Sequence, residues 1–129
     1  MHEVENIIPV FSVKDPETAR MFYIEKLGFK LDWDAGSICS VSRDGHCLML
    51  SQQGEAASPA MAWIGLGSDS LMRLAIDAGL EIYQEAGNDV FAYHMKIRDI
   101  DGNILWLGTE RNDSEQDGGA SALLREAHD

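Results

Sequence analysis

The sequence has few basic residues. Of its 129 residues, 10 are lysine or arginine and 22 are aspartate or glutamate, so the formal net charge is −12 at pH 7. Binding to nucleic acids or to anionic membranes requires a basic surface, and the composition therefore excludes both kinds of partner. A negative protein attracts cations over long range, so the acidity favours a cationic ligand; its alternative role is to keep the protein soluble.

Long apolar runs are also absent. No stretch approaches the roughly 20 residues of a membrane span. Residues 1–6 lack the basic and then apolar layout of a secretory signal. We therefore predict a cytoplasmic protein.

Only two cysteines occur, Cys39 and Cys47. Asp44-Gly45 lies between them and is a strong signal for a two-residue hairpin turn. A hairpin folded there pairs Ser42 with Cys47 and Cys39 with Leu50, so the two cysteines lie on opposite faces of the sheet. The sequence therefore predicts two reduced thiols rather than a disulfide.

An internal repeat organises the chain. Residues 7–51 predict a strand, a helix and three further strands. The helix has Asp15 as its N-cap, Pro16 in its first turn and Gly28 at its end. Residues 60–109 predict the same order, with a helix about one turn shorter and Asp101-Gly102 as the counterpart of the first hairpin turn. The strands of this second repeat are predicted at 80–84, 90–98 and 103–107, with a loop at 85–89.

The remaining segments are polar or acidic. Residues 52–59 link the repeats. We predict one domain over residues 1–110 and an acidic, flexible tail over residues 111–129.

Three segments together resemble the vicinal oxygen chelate superfamily, in its branch of glyoxalases and bleomycin-resistance proteins. They are the segment 8–15 (IPVFSVKD), the motif 22–29 (FYIEKLGF) and the turn 99–103 (DIDGN). The resemblance implies an α+β fold in which two βαβββ repeats form a U-shaped cleft. It also implies a cytoplasmic homodimer that binds a small molecule.

Metal-dependent relatives place four donor side chains in this cleft. The resemblance transfers those positions to Ile8, Met49, Trp63 and Trp106. Zinc, iron and manganese require imidazole, carboxylate or thiolate donors, which none of these residues supplies. We therefore expect neither a metal nor another cofactor, and no arrangement of serine or cysteine with histidine indicates catalytic residues.

Strand alternation predicts which side chains line the cleft. In the second repeat it places Tyr93, Met95 and Ile97 on the face of Trp106, with His94 pointing away. A core formed by the same side chains is the alternative. The predicted ligand-binding residues are aromatic, methionine or small and polar: Trp33, Ser40, Cys47, Met49, Trp63, Tyr93, Met95 and Trp106.

These features predict a metal-independent protein of the bleomycin-resistance type. It would sequester a cationic or planar aromatic antibiotic or metabolite by stacking, without transforming it. Two alternatives remain open at this point: a glyoxalase-like or dioxygenase-like enzyme with displaced catalytic residues, and a module that senses a small molecule or binds a partner.

Overall fold

The computed structural model describes residues 3–52 and 58–111, which form two four-stranded sheets and two helices. The first unit contains β1 (Val10–Val13), α1 (Pro16–Leu27), β2 (Lys30–Asp34), β3 (Ile38–Arg43) and β4 (His46–Gln52). The second contains β5 (Met61–Gly65), α2 (Ser70–Asp77), β6 (Glu81–Asn88), β7 (Tyr93–Arg98) and β8 (Ile104–Thr109). The predicted α+β fold of two βαβββ repeats is confirmed.

Both sheets have the same strand order. The first runs β1-β4-β3-β2 and the second β5-β8-β7-β6. In each, the first strand pairs in parallel with the last, and the other pairs are antiparallel. The first strand is shorter than predicted, since Ile7, Ile8 and Pro9 precede β1.

The caps of α1 follow from its sequence. The Asp15 carboxylate accepts hydrogen bonds from the Thr18 backbone N–H at 3.3 Å and from the Thr18 hydroxyl at 2.6 Å. Gly28 ends the helix at φ 75°, a left-handed conformation that glycine adopts without steric cost. The prediction of both helix ends is confirmed.

The β3–β4 hairpin has its predicted register. Asp44 and Gly45 both have positive φ values, 54° and 82°, as a two-residue turn of type I′ requires. Ser42 pairs with Cys47 and Cys39 with Leu50. Cys39 is buried in the core, whereas Cys47 lies on the opposite face, so the prediction that the sheet separates them is confirmed.

The second unit confirms one prediction and contradicts another. Helix α2 has 8 residues against 12 in α1, which confirms the shorter helix. Its buried residues are Leu71, Met72 and Ala75, whereas Leu74 is 37% exposed. The predicted loop at 85–89 is wrong, because β6 continues to Asn88 through irregular pairings that absorb its extra residues.

One core joins the two units. Its buried members come from both helices and from the helix-facing side of both sheets. They include Ala19, Tyr23 and Leu27 of α1, Leu71, Met72 and Ala75 of α2, Val41 and Leu50 of the first sheet, and Met95, Ile97, Leu105 and Leu107 of the second. The opposite face of each sheet is therefore left for other contacts.

A buried polar network also joins the units. The Tyr23 hydroxyl on α1 donates a 2.6 Å hydrogen bond to Asp99 Oδ2 in the β7–β8 loop. The Asn103 amide of the same loop donates to the Ser12 carbonyl oxygen at 3.0 Å. Burial raises the pKa of Asp99, although the hydrogen bonds from Tyr23, Asp101 and Asn103 act against that rise. Burial and the neighbouring Asp99 raise the pKa of Tyr23 well above its usual value.

Two predicted segments fall mainly outside the described residues. They are the linker at 52–59, of which residues 53–57 are not described, and the tail at 111–129, of which only residue 111 is described. Within residues 3–52 and 58–111, no helix has the length and apolar character that crossing a membrane requires.

Candidate functional site

Four rings meet on the face of the second sheet that points away from the helices. Trp63 of β5 is the direct partner of Trp106 of β8, and their ring centroids lie 5.0 Å apart at 87°. Phe91, just before β7, lies 5.9 Å from each indole. The His94 ring stacks on Phe91 at 5.3 Å. We call Trp63, Phe91, His94 and Trp106 the aromatic cluster.

The cluster is partly open to solvent. Trp63 is 46% exposed and Phe91 53% exposed, whereas Trp106 is partly buried and His94 is buried. Edge-to-face ring contacts stabilise such groups by about 0.5–1.5 kcal/mol beyond burial, so the rings hold one another in place. The cluster therefore presents fixed aromatic surface on which a planar molecule can stack.

Two glycines make room for Trp63. A Cβ atom at Gly108 would overlap the Trp63 ring, and one at Gly65 would lie 3.4 Å from its Nε1. Gly65 and Gly108 are direct partners, and His94 is the next residue in the same row. Sequence reasoning missed both glycines, although glycine inside a strand is a known signal of close approach by another group.

A chain of hydrogen bonds orients Trp106. Its Nε1–H donates to His94 Nδ1 at 2.9 Å. An indole nitrogen only donates, so Nδ1 accepts and His94 is the neutral tautomer with its proton on Nε2. That nitrogen lies 3.4 Å from Asp89 Oδ2. The Val90 backbone N–H and His94 lower the pKa of Asp89, which is therefore ionised at neutral pH.

Basic side chains lie on the same face. The Lys96 ammonium lies 4.9 Å from the centroid of Trp106, its direct cross-strand partner. Two residues further along β7, the Arg98 guanidinium lies 4.4 Å from the centroid of Tyr83. The second sheet therefore carries cations next to its aromatic rings.

The prediction of which β7 side chains lie on the face of Trp106 is wrong, because the pairing of β7 with β8 is shifted by one residue from the predicted register. Tyr93, Met95 and Ile97 pair with Thr109, Leu107 and Leu105, on the face that packs against the helices. Met95 is 1% exposed within the core, and Tyr93 packs against that core. His94, predicted to point away from Trp106, is hydrogen-bonded to it.

The reason lies in the β7–β8 loop. Arg98 pairs with Ile104, so residues 99–103 form a five-residue loop rather than a two-residue turn at Asp101-Gly102. The Asp99 carboxylate closes this loop by accepting from the N–H groups of Asp101 and Asn103. Replacing a two-residue turn by a five-residue loop shifts the register by an odd number of residues, which exchanges the two faces of the strand.

The first sheet carries the other predicted residues. Trp33, Ser40, Met49 and Val10 form one row across its four strands. Asp32 accepts hydrogen bonds from the hydroxyls of Ser40 at 3.1 Å and Ser42 at 2.7 Å. Trp33 is 42% exposed.

Cys47 and Trp63 line a groove of about 820 Å³. Its walls are the β3–β4 hairpin, β5 and the start of α2. The groove brings predicted residues of both sheets together. Within the described part of the chain, no ring contact joins Trp33 to the aromatic cluster.

Comparison with models of known protein families identifies the family of this chain. A model described as "Glyoxalase superfamily protein" matches residues 2–73, more than half of the chain. The chain belongs to the glyoxalase superfamily. A comparison with curated proteins finds no match.

Solved structures share the fold of this glyoxalase-superfamily chain. TioX from Micromonospora sp. ML1 has a TM-score of 0.74 at 15% identity, covering 83% of this chain and 99% of TioX. The bleomycin-binding protein of Streptomyces verticillus, solved with copper(II)-bleomycin, has 0.72 at 20%, covering 86% and 100%. Lactoylglutathione lyase from Agrobacterium tumefaciens has 0.68 at 14%, covering 84% and 96%.

The metal of superfamily relatives does not fit the residues present. One of the four positions predicted from the resemblance is wrong, because Val10 rather than Ile8 pairs with Met49. Val10, Met49, Trp63 and Trp106 supply no imidazole, carboxylate or thiolate donor. Over residues 3–52 and 58–111, no three His, Cys, Asp or Glu side chains are grouped so as to hold a metal.

Proposed function

We propose that this chain binds a small molecule with a planar aromatic part and releases it unchanged. The observation that carries the proposal is the half-exposed pair Trp63 and Phe91, held edge-on against Trp106. Stacking on such rings contributes roughly 0.5–1.5 kcal/mol per contact. The ligand would be an antibiotic or a metabolite that the protein sequesters.

The bleomycin-binding protein of Streptomyces verticillus supports this proposal by analogy. It has the same fold and was solved with copper(II)-bleomycin. At 20% identity the likeness concerns the fold, so the argument for binding here depends on the cluster itself.

The alternative is an enzyme like lactoylglutathione lyase, which shares the fold. His94 is the titratable ring closest to the cluster, but Trp106 occupies its Nδ1 and Asp89 faces its Nε2. A general base must reach the substrate proton, and neither nitrogen is directed to one. The geometry therefore favours binding over catalysis.

Ligand screening by thermal unfolding and tryptophan fluorescence tests the proposal. Planar aromatic compounds, with copper-free and copper-loaded bleomycin among them, should raise the unfolding temperature; a ligand at 100 times its Kd contributes about 2.7 kcal/mol. Trp63→Ala should weaken binding by about fivefold, the equivalent of one aromatic contact. Binding that Trp63→Ala and Phe91→Ala leave unchanged would refute the cluster as the site.

The Trp33→Ala variant tests in the same assay whether the first sheet also contacts the ligand. Trp33 is a predicted ligand-binding residue but has no ring contact with the cluster among the described residues. A ligand held by the second sheet alone keeps its affinity in this variant. A loss equal to that of Trp63→Ala would show that one ligand contacts both sheets.

The homodimer and the cytoplasmic location remain predictions. Sedimentation velocity at micromolar protein tests the first, since a species of 14.2 kDa would be the monomer.

A further inference from the structure

The aromatic face of β7 carries an unexpected charge for so acidic a protein. Its residues alternate between the two faces of the strand, so His94, Lys96 and Arg98 share the face of Trp106. The whole chain has a formal net charge of −12. Two cationic side chains, Lys96 and Arg98, next to the neutral His94 therefore set this face apart from the average surface.

Lys96 has no carboxylate partner within the described residues. Its cross-strand neighbours are Trp106 and Gln84, both uncharged. The chain has four lysines, all of them described, and Lys96 alone is partly buried while the others are exposed. An ammonium group held beside an indole loses part of its hydration and retains donors for an acceptor.

Arg98 adds a second donor to this face. Its buried Nε forms an ion pair with Glu81 Oε2 at 3.4 Å but makes no hydrogen bond. Glu81 balances the charge of Arg98, whereas Lys96 has no such partner among the described residues.

The carboxylate nearest the cluster is already engaged. Asp89 accepts from the Val90 N–H through Oδ1 and faces His94 Nε2 through Oδ2. A cation placed on Phe91 or Trp63 would compete with these contacts. An anion stacked there would share its face of the sheet with the Lys96 ammonium, which lies 4.9 Å from the Trp106 centroid.

We propose that the aromatic cluster binds a planar aromatic ligand that carries a carboxylate, and that the Lys96 ammonium binds this group while the ring stacks on Trp63 or Phe91. This inference rests on the proposed function and specifies the ligand class for the same site. The inferred ligand is anionic, whereas the net charge alone favours a cationic one. A direct contact with Lys96 outweighs the attraction by distant carboxylates, because salt screens charges beyond about 8–10 Å.

Calorimetric titration with three matched probes tests the inference. The probes are 2-naphthoate, 2-naphthalenemethanol and 2-naphthylmethylammonium, which share one ring system and differ in charge. We expect the carboxylate to bind about tenfold more tightly than the alcohol, as one charge-assisted hydrogen bond provides. The ammonium compound should bind most weakly of the three.

Lys96→Met keeps the aliphatic stem and removes the charge, so it should make the carboxylate and the alcohol bind equally. The control is Lys30→Met, on the first sheet and exposed, which should keep the tenfold preference. Circular dichroism confirms that each variant is folded, and the comparison of probes on the unmodified chain needs no variant.

The outcomes separate this inference from the proposed function. Equal or tighter binding of the alcohol or the ammonium compound would overturn the carboxylate class while aromatic binding stands. Failure of all three probes to bind would overturn both. A preference for the carboxylate that survives Lys96→Met would overturn the role of Lys96.

Discussion

The indole N–H of Trp106 and Nδ1 of His94 are joined by a hydrogen bond of 2.9 Å beneath the exposed rings of Trp63 and Phe91. It links β8 to β7 through side chains as well as through the backbone. The orientation of one indole therefore depends on the tautomer of one imidazole.

Trp106→Phe should lower the free energy of unfolding by about 1–3 kcal/mol. The His94 side chain is 7% exposed, and its Nδ1 would be left without a donor in the interior. Urea denaturation measures the loss, and Trp63→Phe, at a half-exposed position, should cost less than about 1 kcal/mol. A cycle with His94→Phe should show coupling above roughly 0.5 kcal/mol; strictly additive losses would argue against the bond.

Gly108→Ala should displace the Trp63 ring. The added methyl group overlaps that ring, so we expect a loss of about 1–3 kcal/mol in unfolding free energy and weaker ligand binding. Near-ultraviolet circular dichroism reports the change in the tryptophan environment. The matched control is Gly67→Ala, where nothing lies within 4 Å of the added Cβ. An unchanged spectrum for Gly108→Ala would contradict the packing described.

The stability contributed by Asp99 should fall as the pH rises. Burial raises its pKa in the folded state, so the folded chain holds this proton more tightly than the unfolded chain does. The contribution is therefore fully present below the unfolded value of about 3.9 and is lost as the pH passes the higher folded value. The difference in unfolding free energy between the unmodified chain and Asp99→Asn should decrease over that interval.

Tyr23→Phe provides a second measurement on the same network. The Tyr23 hydroxyl donates to Asp99 and lowers its pKa, so its removal should move the pH-dependent interval upward. It should also cost about 0.5–1.5 kcal/mol of stability. Tyr83→Phe, at a side chain that is 50% exposed, serves as the control. An interval that stays in place would mean that the hydroxyl does not affect the carboxyl.

Chelation should leave ligand binding unchanged. The positions at which the family resemblance implies metal donors carry Val10, Met49, Trp63 and Trp106 here, so we expect no bound ion to contribute to the cluster. Titrations before and after dialysis against a chelator, with metal analysis of the untreated protein, check this expectation. Stoichiometric zinc, iron or manganese lost together with binding would show that donors outside the described residues form a site.

The sequence predicts the fold well because its signals are local. Asp15, Pro16 and Gly28 determine the ends of α1 through contacts within one or two turns. Asp44-Gly45 likewise determines the first hairpin, since both residues adopt the positive φ values that its turn needs. Glycine, proline and aspartate act here through backbone preferences that hold in any protein.

The candidate site is less predictable because it depends on register. Trp63 and Trp106, both predicted to line the cleft, are direct partners on one face of the second sheet, whereas the face predicted for Met95 is wrong. The error arises because Asp99 closes a five-residue loop through side-chain hydrogen bonds that no strand pattern reveals. The need for glycine at position 108 is likewise hard to predict, since only folding brings this residue against the Trp63 indole.

The length of that loop affects which side chains the second repeat presents to a ligand. A change of odd length between Arg98 and Ile104 turns β7 over, so that histidine, lysine and arginine replace tyrosine, methionine and isoleucine on the side next to Trp106. A change of loop length, without any substitution in β7, is thus sufficient to change which of its side chains face Trp106. A deletion of one residue that kept the loop at five residues would draw Arg98 into it, so that Met95 rather than Lys96 would pair with Trp106.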